Sequence, residues 1–296
     1  MLENEIRNPK SEIRNSLPIG IFDSGVGGLT VYRALHERLP NEHFVYLGDT
    51  ARVPYGTKSL ATVERYATEN SRFLESRGIK ILVVACNTAS ALALPAIRKA
   101  VSVDVVGVID PGARVAIERT NGKTIGVIAT EATVQSGAYA RSISRIDPAA
   151  LVIERACPLF VSLAEEGWAE TDVARLVAEQ YLSDLRQNDL GALVLGCTHY
   201  PILQAVITNA LGRGVPLIDS GAATATEVQY LLESSGLSHP EAGRHDRERQ
   251  LCDDLDHFYV TDAAQRFAKV AERFLGAAPS VLEAVEVWGH DELRTY

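Results

Sequence analysis

No stretch of the 296-residue chain holds the ~18 consecutive apolar residues that a membrane-crossing helix needs, so no membrane span is expected. Positive charge is also in short supply. Lys and Arg number 29 against 38 Asp and Glu, a formal net charge of −9. Phosphate backbones are gripped by clustered cations, so nucleic acid is not expected as the main partner. Cysteine is scarce: Cys86, Cys157, Cys197 and Cys252 lie far apart and form no CxxC pair. That spacing offers no structural zinc site, and no metal is expected. The opening segment MLENEIRNPKSEIRNSLP repeats EIRN, is polar and mixed in charge, and lacks the apolar centre of a secretion signal. Residues 1–17 therefore read as a mobile extension, and the thiols as reduced in a cytoplasm.

What is present is a series of short apolar runs. IGIF (19–22), HFVYLG (43–48), ILVVAC (81–86), VVGVI (105–109), TIGVIA (124–129), LVIERA (151–156), ALVLGC (192–197) and PLIDS (216–220) have the composition of strands covered on both faces. Helix-length segments separate them. The clearest is TDVARLVAEQYLSDLRQ (171–187), with Thr171 or Asp172 as cap and Val173, Leu176, Val177, Tyr181 and Leu185 as its apolar face. Strand–helix alternation predicts a doubly wound α/β fold, and the length predicts two domains.

The chain also resembles itself. IGIFDSGVGGLTV (19–31) is matched by IGVIATEATVQS (125–136), an offset of 106 residues from Ile19 to Ile125. ILVVACNTASA (81–91) is matched by ALVLGCTHYPI (192–202), an offset of 111 from Cys86 to Cys197. Two elements kept in order at nearly one offset predict two similar mainly parallel-sheet halves facing each other about a pseudo-twofold. Ligands of open α/β sheets bind beyond the carboxyl ends of the strands. Taken singly, either cysteine could simply pack as a small hydrophobe. Taken as a pair at equivalent strand ends, Cys86 and Cys197 would meet one ligand from opposite sides. That suits removal of a proton from one face of a carbon and delivery to the other, one sulfur acting as thiolate and the other as thiol. Cys157, before a proline, and Cys252, in CDDLD, have no such partner and read as structural.

IFDSGVGGLTV, YLGDTARVPYG, VVACNTAS, CPLFVSLAEEG and LVLGCTHYP, in this order, closely resemble the bacterial glutamate racemases of the wider aspartate/glutamate racemase group. The likeness spans Ile19 to Gly276. It implies a cofactor-independent isomerase that interconverts L- and D-glutamate for peptidoglycan synthesis, commonly as a homodimer. It implies two α/β domains, 18–110 with 222–276 and 111–221, and the active site between them. Residues 277–296 form a tail outside it. By the resemblance Cys86 and Cys197 are the two bases, with Asp23, His199 and Glu165 assisting and Glu166 a one-residue alternative to Glu165. The substrate side would be lined by Asp23, Ser24, Pro54, Tyr55, Gly56, Asn87, Thr88, Thr130, Thr133, Thr198 and His199. The chain departs from the family at Ala129 and Ala132, where glycines are usual, and at Ser162 and Ala164. Alanine would be strained at Ala129 or Ala132 if the backbone there were left-handed.

Pyridoxal phosphate would need a Schiff-base lysine. None of Lys10, Lys58, Lys80, Lys99, Lys123 and Lys269 ends an apolar strand, so no cofactor is expected. Three other readings compete. DSGVGG could cradle a phosphate or nucleotide, although it is neither GxGxxG nor GxxxxGK[ST]. Cys197 with His199 could form a thiol hydrolase, which leaves Cys86 without a role. An aspartate racemase would differ by one methylene in the pocket, worth only ~1–3 kcal/mol.

Overall fold

The apolar runs fold into two parallel sheets. In the computed structural model, which describes residues 13–212, 214–240 and 249–288, the strands are β1 (Ile19–Asp23), β2 (Phe44–Gly48), β3 (Ile81–Val84), β4 (Asp104–Gly107), β5 (Thr124–Ala129), β6 (Val152–Ala156), β7 (Leu190–Gly196), β8 (Leu217–Asp219), β9 (His257–Val260) and β10 (Leu282–Ala284). The first sheet has the order β10-β9-β2-β1-β3-β4 and the second β6-β5-β7-β8, with every pairing parallel. Parallel strands need crossovers, and the helices that supply them cover both faces, which is why β1, β2 and β3 are buried along their whole length.

The first four strands and the next four share one winding: 2-1-3-4 in one sheet and 6-5-7-8 in the other. The two internal likenesses fall on equivalent strands, β1 with β5 and β3 with β7. The linking helices are α1 (Leu29–Arg38), α2 (Leu60–Ser76), α3 (Asn87–Leu92), α4 (Leu94–Ala100), α5 (Ile109–Thr120), α6 (Glu131–Ser136), α7 (Ala138–Ile146), α8 (Leu159–Glu165), α9 (Asp172–Leu182), α10 (Gln204–Leu211), α11 (Ser220–Ser234) and α12 (Ala264–Leu275). Helix α11 packs on both α1 and α5 and so fastens the halves together. After it the chain returns to the first sheet, where β9 pairs with β2 and β10 adds an edge strand.

Two elements differ from the sequence pattern. The run 105–109 does not stay extended: β4 ends at Gly107, opposite Val84 at the end of β3, and Ile109 already begins α5. In α9, Thr171 caps as expected, its Oγ accepting from the Ala174 N–H at 3.3 Å. The buried face, however, is Ala174, Ala178 and Leu182, while Val173 and Leu176 are 47% and 56% exposed. Of the expected face, Leu185 is fully buried and Val177 and Tyr181 pack partly buried against the core, so that only Val173 and Leu176 are left outside while the alanines take the side toward α10. Among the described residues no helix is long and apolar enough to cross a membrane, and no cluster of His, Cys, Asp and Glu could hold a metal ion.

Candidate active site

The turn after β1 brings the two halves together. Asp23 ends the strand, and its Oδ2 accepts the Gly25 N–H at 2.9 Å. Its Oδ1 is buried with no hydrogen-bond partner among the described residues. A Cβ on Gly27 would lie 2.3 Å from Thr198 Oγ1 and 2.5 Å from the His199 ring, and one on Gly28 would lie 2.5 Å from Asp23 Cβ. Glycine here therefore serves close approach, which accounts for DSGVGG without any phosphate. Thr30 Oγ1 then donates to the Thr198 carbonyl at 2.8 Å, across the junction.

Cys86 follows β3 as the N-cap of α3, its Sγ accepting the Ala89 N–H at 3.5 Å and lying 3.4 Å from Ser24 Oγ. The residue is 5% exposed. Burial, reinforced by the nearby Asp23 charge, pushes its pKa up to about 12, with a smaller contribution from Cys197. Burial likewise raises the Asp23 pKa, against the opposing pull of His199.

Asn87 Nδ2 donates to Tyr139 Oη at 2.8 Å, and that hydroxyl meets Ser220 Oγ at 2.8 Å. Asn87 Oδ1, like Asp23 Oδ1, is buried and unpartnered among the described residues. Beside it Thr88, Thr130 and Thr133 form a triangle of hydroxyls with edges of 3.0, 3.2 and 3.0 Å, one corner from the first half and two from the second. Gly56 abuts this triangle: a Cβ on it would lie 2.9 Å from Thr130 Cβ. Pro54 is exposed. The Tyr55 ring is buried in the first half, where its hydroxyl donates to Asp49. Ala129 lies in β5 and Ala132 in α6, and among the described residues those other than glycine with positive φ are Asn121, Cys252 and Ala263. The strain that alanine would bring at those two positions does not arise.

Cys197 follows β7, the equivalent strand, and is 6% exposed. His199 Nδ1 lies 3.7 Å from its Sγ, and Nε2 lies 3.0 Å from Glu165 Oε1. Burial disfavours a charged ring, but the hydrogen bonds and charges of Cys197 and Glu165 outweigh it and lift the His199 pKa to about 10. Glu165 shows the reciprocal effect: burial pushes its pKa up, and His199 with Arg266 brings it below its usual value. The part-buried contact between the two thus favours the charged form of each. Glu166 is turned outward to Arg266 at 3.5 Å, so Glu165 is the carboxylate that meets the histidine. Cys157 and Cys252 are fully buried in the core.

The Asp/Glu/Hydantoin racemase family model matches residues 19–228. The chain belongs to that family. A glutamate racemase of Geobacter metallireducens is 52% identical over 260 residues, covering 87% of this chain and 92% of that protein. Among solved structures, a glutamate racemase isoform from Bacillus anthracis superposes with a TM-score of 0.83 at 37% identity, covering 92% of this chain and 98% of that one. The Francisella tularensis glutamate racemase, solved with D-glutamate, gives 0.82 at 39%, with the same coverage. An aspartate racemase from Picrophilus torridus, 22% identical with a TM-score of 0.54, shares the fold. This family member is an isomerase, an amino-acid racemase. Sequence reading had no signal for Tyr139 and Ser220, which steady Asn87, nor for Thr30, because each acts through a partner more than 50 residues away.

Proposed function

We propose that the protein interconverts L- and D-glutamate by two-base proton transfer at the α-carbon, without a cofactor, and supplies D-glutamate for peptidoglycan in the cytoplasm, as a homodimer. Two α/β units, 18–110 with 222–276 and 111–221, each contribute one sulfur. The reading is carried by one observation: Cys86 and Cys197 end equivalent strands on either side of the junction, and each has its own polar escort.

The protonation states suit the task. At neutral pH burial keeps Cys86 a thiol. His199, held by Glu165 at 3.0 Å, places its other ring nitrogen 3.7 Å from the Cys197 sulfur, where it can relay a proton. In one direction a Cys197 thiolate takes the α-proton and becomes a thiol. Cys86 then delivers its own proton to the opposite face of the carbanion and becomes the thiolate. The reverse reaction exchanges these roles. The unpartnered Asp23 Oδ1 and Asn87 Oδ1 are acceptors for the substrate ammonium, which also supplies positive charge beside Cys86. The hydroxyls of Ser24, Thr88, Thr130, Thr133 and Thr198 are donors for its carboxylates. Such donors stabilise the charge that grows as the weakly acidic α-proton leaves.

Purified protein, assayed with L-glutamate and in parallel with L-aspartate, is expected to racemise glutamate faster. Cys86→Ala or Cys197→Ala racemising at the wild-type rate, while folded, would overturn the two-base reading.

A further inference from the structure

A second buried network lies beside the site and is not used by this chemistry. Asp49, just past β2, is fully buried. Its Oδ1 accepts from Thr261 Oγ1 at 2.9 Å, and its Oδ2 from Asn70 Nδ2 at 3.1 Å and from the Tyr55 hydroxyl. Arg52 closes the network: Nε donates to Asp49 Oδ2 at 2.7 Å, Nη2 to Asn70 Oδ1 at 3.0 Å, and Nη1 pairs with Glu69. Segment 49–57 is thereby tied to α2 and β9, while its Gly56 abuts Thr130.

Two rings cover the Arg52 guanidinium: Tyr66 of α2 at 4.1 Å and Trp288 at 5.2 Å. Trp288 comes from the segment after β10. Because β10 runs parallel to β9 and β2, the chain leaves it at the carboxyl edge of the sheet, the edge that carries Asp23 and Cys86. The Val285 N–H, bonded to the Val260 carbonyl at 2.8 Å, and buried Val287 seat this segment. Trp288 itself is 38% exposed, so its ring is a cover over the guanidinium and not a core side chain.

We infer that Trp288 is a positioning residue for substrate binding: stacked on Arg52, it holds segment 49–57, and with it Gly56, against the Thr88–Thr130–Thr133 triangle. The inference rests on the reading that this triangle faces the substrate. An aromatic face over a part-exposed guanidinium corresponds to about a three- to fivefold change in an equilibrium. The ring touches no reacting atom, so its loss falls on KM and not on kcat.

The test compares wild type, Trp288→Leu and Trp288→Phe. Leucine keeps apolar bulk and removes the aromatic face; phenylalanine keeps the face. Two quantities are measured: KM and kcat for L-glutamate, and hydrogen exchange of the backbone amides in 50–57. Trp288→Leu is expected to raise KM about three- to fivefold with kcat within twofold, and to speed exchange in 50–57 alone. Trp288→Phe is expected to behave as wild type in both. A leucine variant with wild-type KM and exchange overturns the inference, as does one that exchanges faster throughout the first sheet. If wild type itself does not racemise glutamate, the substrate reading fails, and the exchange comparison still decides whether Trp288 holds the segment.

Discussion

Cys86 and Cys197 stand at the ends of strands with the same place in the same winding, yet their neighbours carry opposite charge. Cys86 has a hydroxyl, Ser24, and a carboxylate, Asp23, whose charge adds to burial in raising its pKa to about 12. Cys197 has an imidazolium fixed by Glu165. A duplicated frame thus supplies symmetry of position, and the escorts break the symmetry of charge. The proposed two-base reaction uses both: sulfurs on opposite faces of the carbon, and at any instant one thiolate and one thiol. In the proposed binding mode, a substrate ammonium beside Asp23 and Cys86 would narrow the difference and let the reaction run in either direction.

The largest effects come from removing either sulfur. Cys86→Ala and Cys197→Ala should each lower kcat by about 10²–10⁴-fold, read by circular dichroism of glutamate in both directions. If one variant keeps full activity, the positional symmetry has no functional meaning. Next is the charged escort. His199→Asn should lower kcat by about 10²-fold, and Asp23→Asn should change the rate without erasing the pH behaviour that His199 imposes.

That behaviour has a definite sign. The folded His199 pKa is about 10, above the unfolded value near ~6.5. The stability from its ion pair is therefore complete below ~6.5 and is lost as pH rises through about 10. Urea midpoints measured from pH 6 to 10 should fall for wild type and stay flatter for His199→Asn.

Much of this contrast is legible in the sequence because continuous apolar runs and paired Cys–Thr strand ends are local patterns. Both cysteines are visible that way, whereas the roles of Asp23, His199 and Glu165 are implied only by the resemblance of their motifs to the glutamate racemases. Other features are set by neighbours far along the chain. Val173 and Leu176 look like a buried stripe until the alanines of α9 prove to face α10. Gly27 looks like a phosphate turn until Thr198 and His199 are placed against it. Tyr139 carries no chemical signature except its contact with Asn87, and Tyr55, placed at the site by its motif, has its hydroxyl on Asp49. Trp288 belongs to a strand extension that no periodicity announces.

Smaller perturbations sharpen the same comparison. Gly27→Ala drives a Cβ into Thr198 and should destabilise the fold by about 1–3 kcal/mol, read from urea unfolding, with a larger fall in activity than in stability because the halves shift apart. Ala129→Gly, which adds freedom to a strand that does not use it, should cost only about 0.5–1 kcal/mol and leave KM unchanged.

The most direct test follows the α-hydrogen in heavy water. With L-glutamate and wild-type protein, stopped at the first few per cent of conversion, the D-glutamate formed should carry deuterium at the α-carbon while the remaining L-glutamate stays protiated, because one sulfur removes the proton and the other, exchanged with solvent, supplies the new one. D-glutamate that retains the original α-hydrogen would show a single group working both faces, and would contradict the assignment of Cys86 and Cys197 to opposite sides of one carbon.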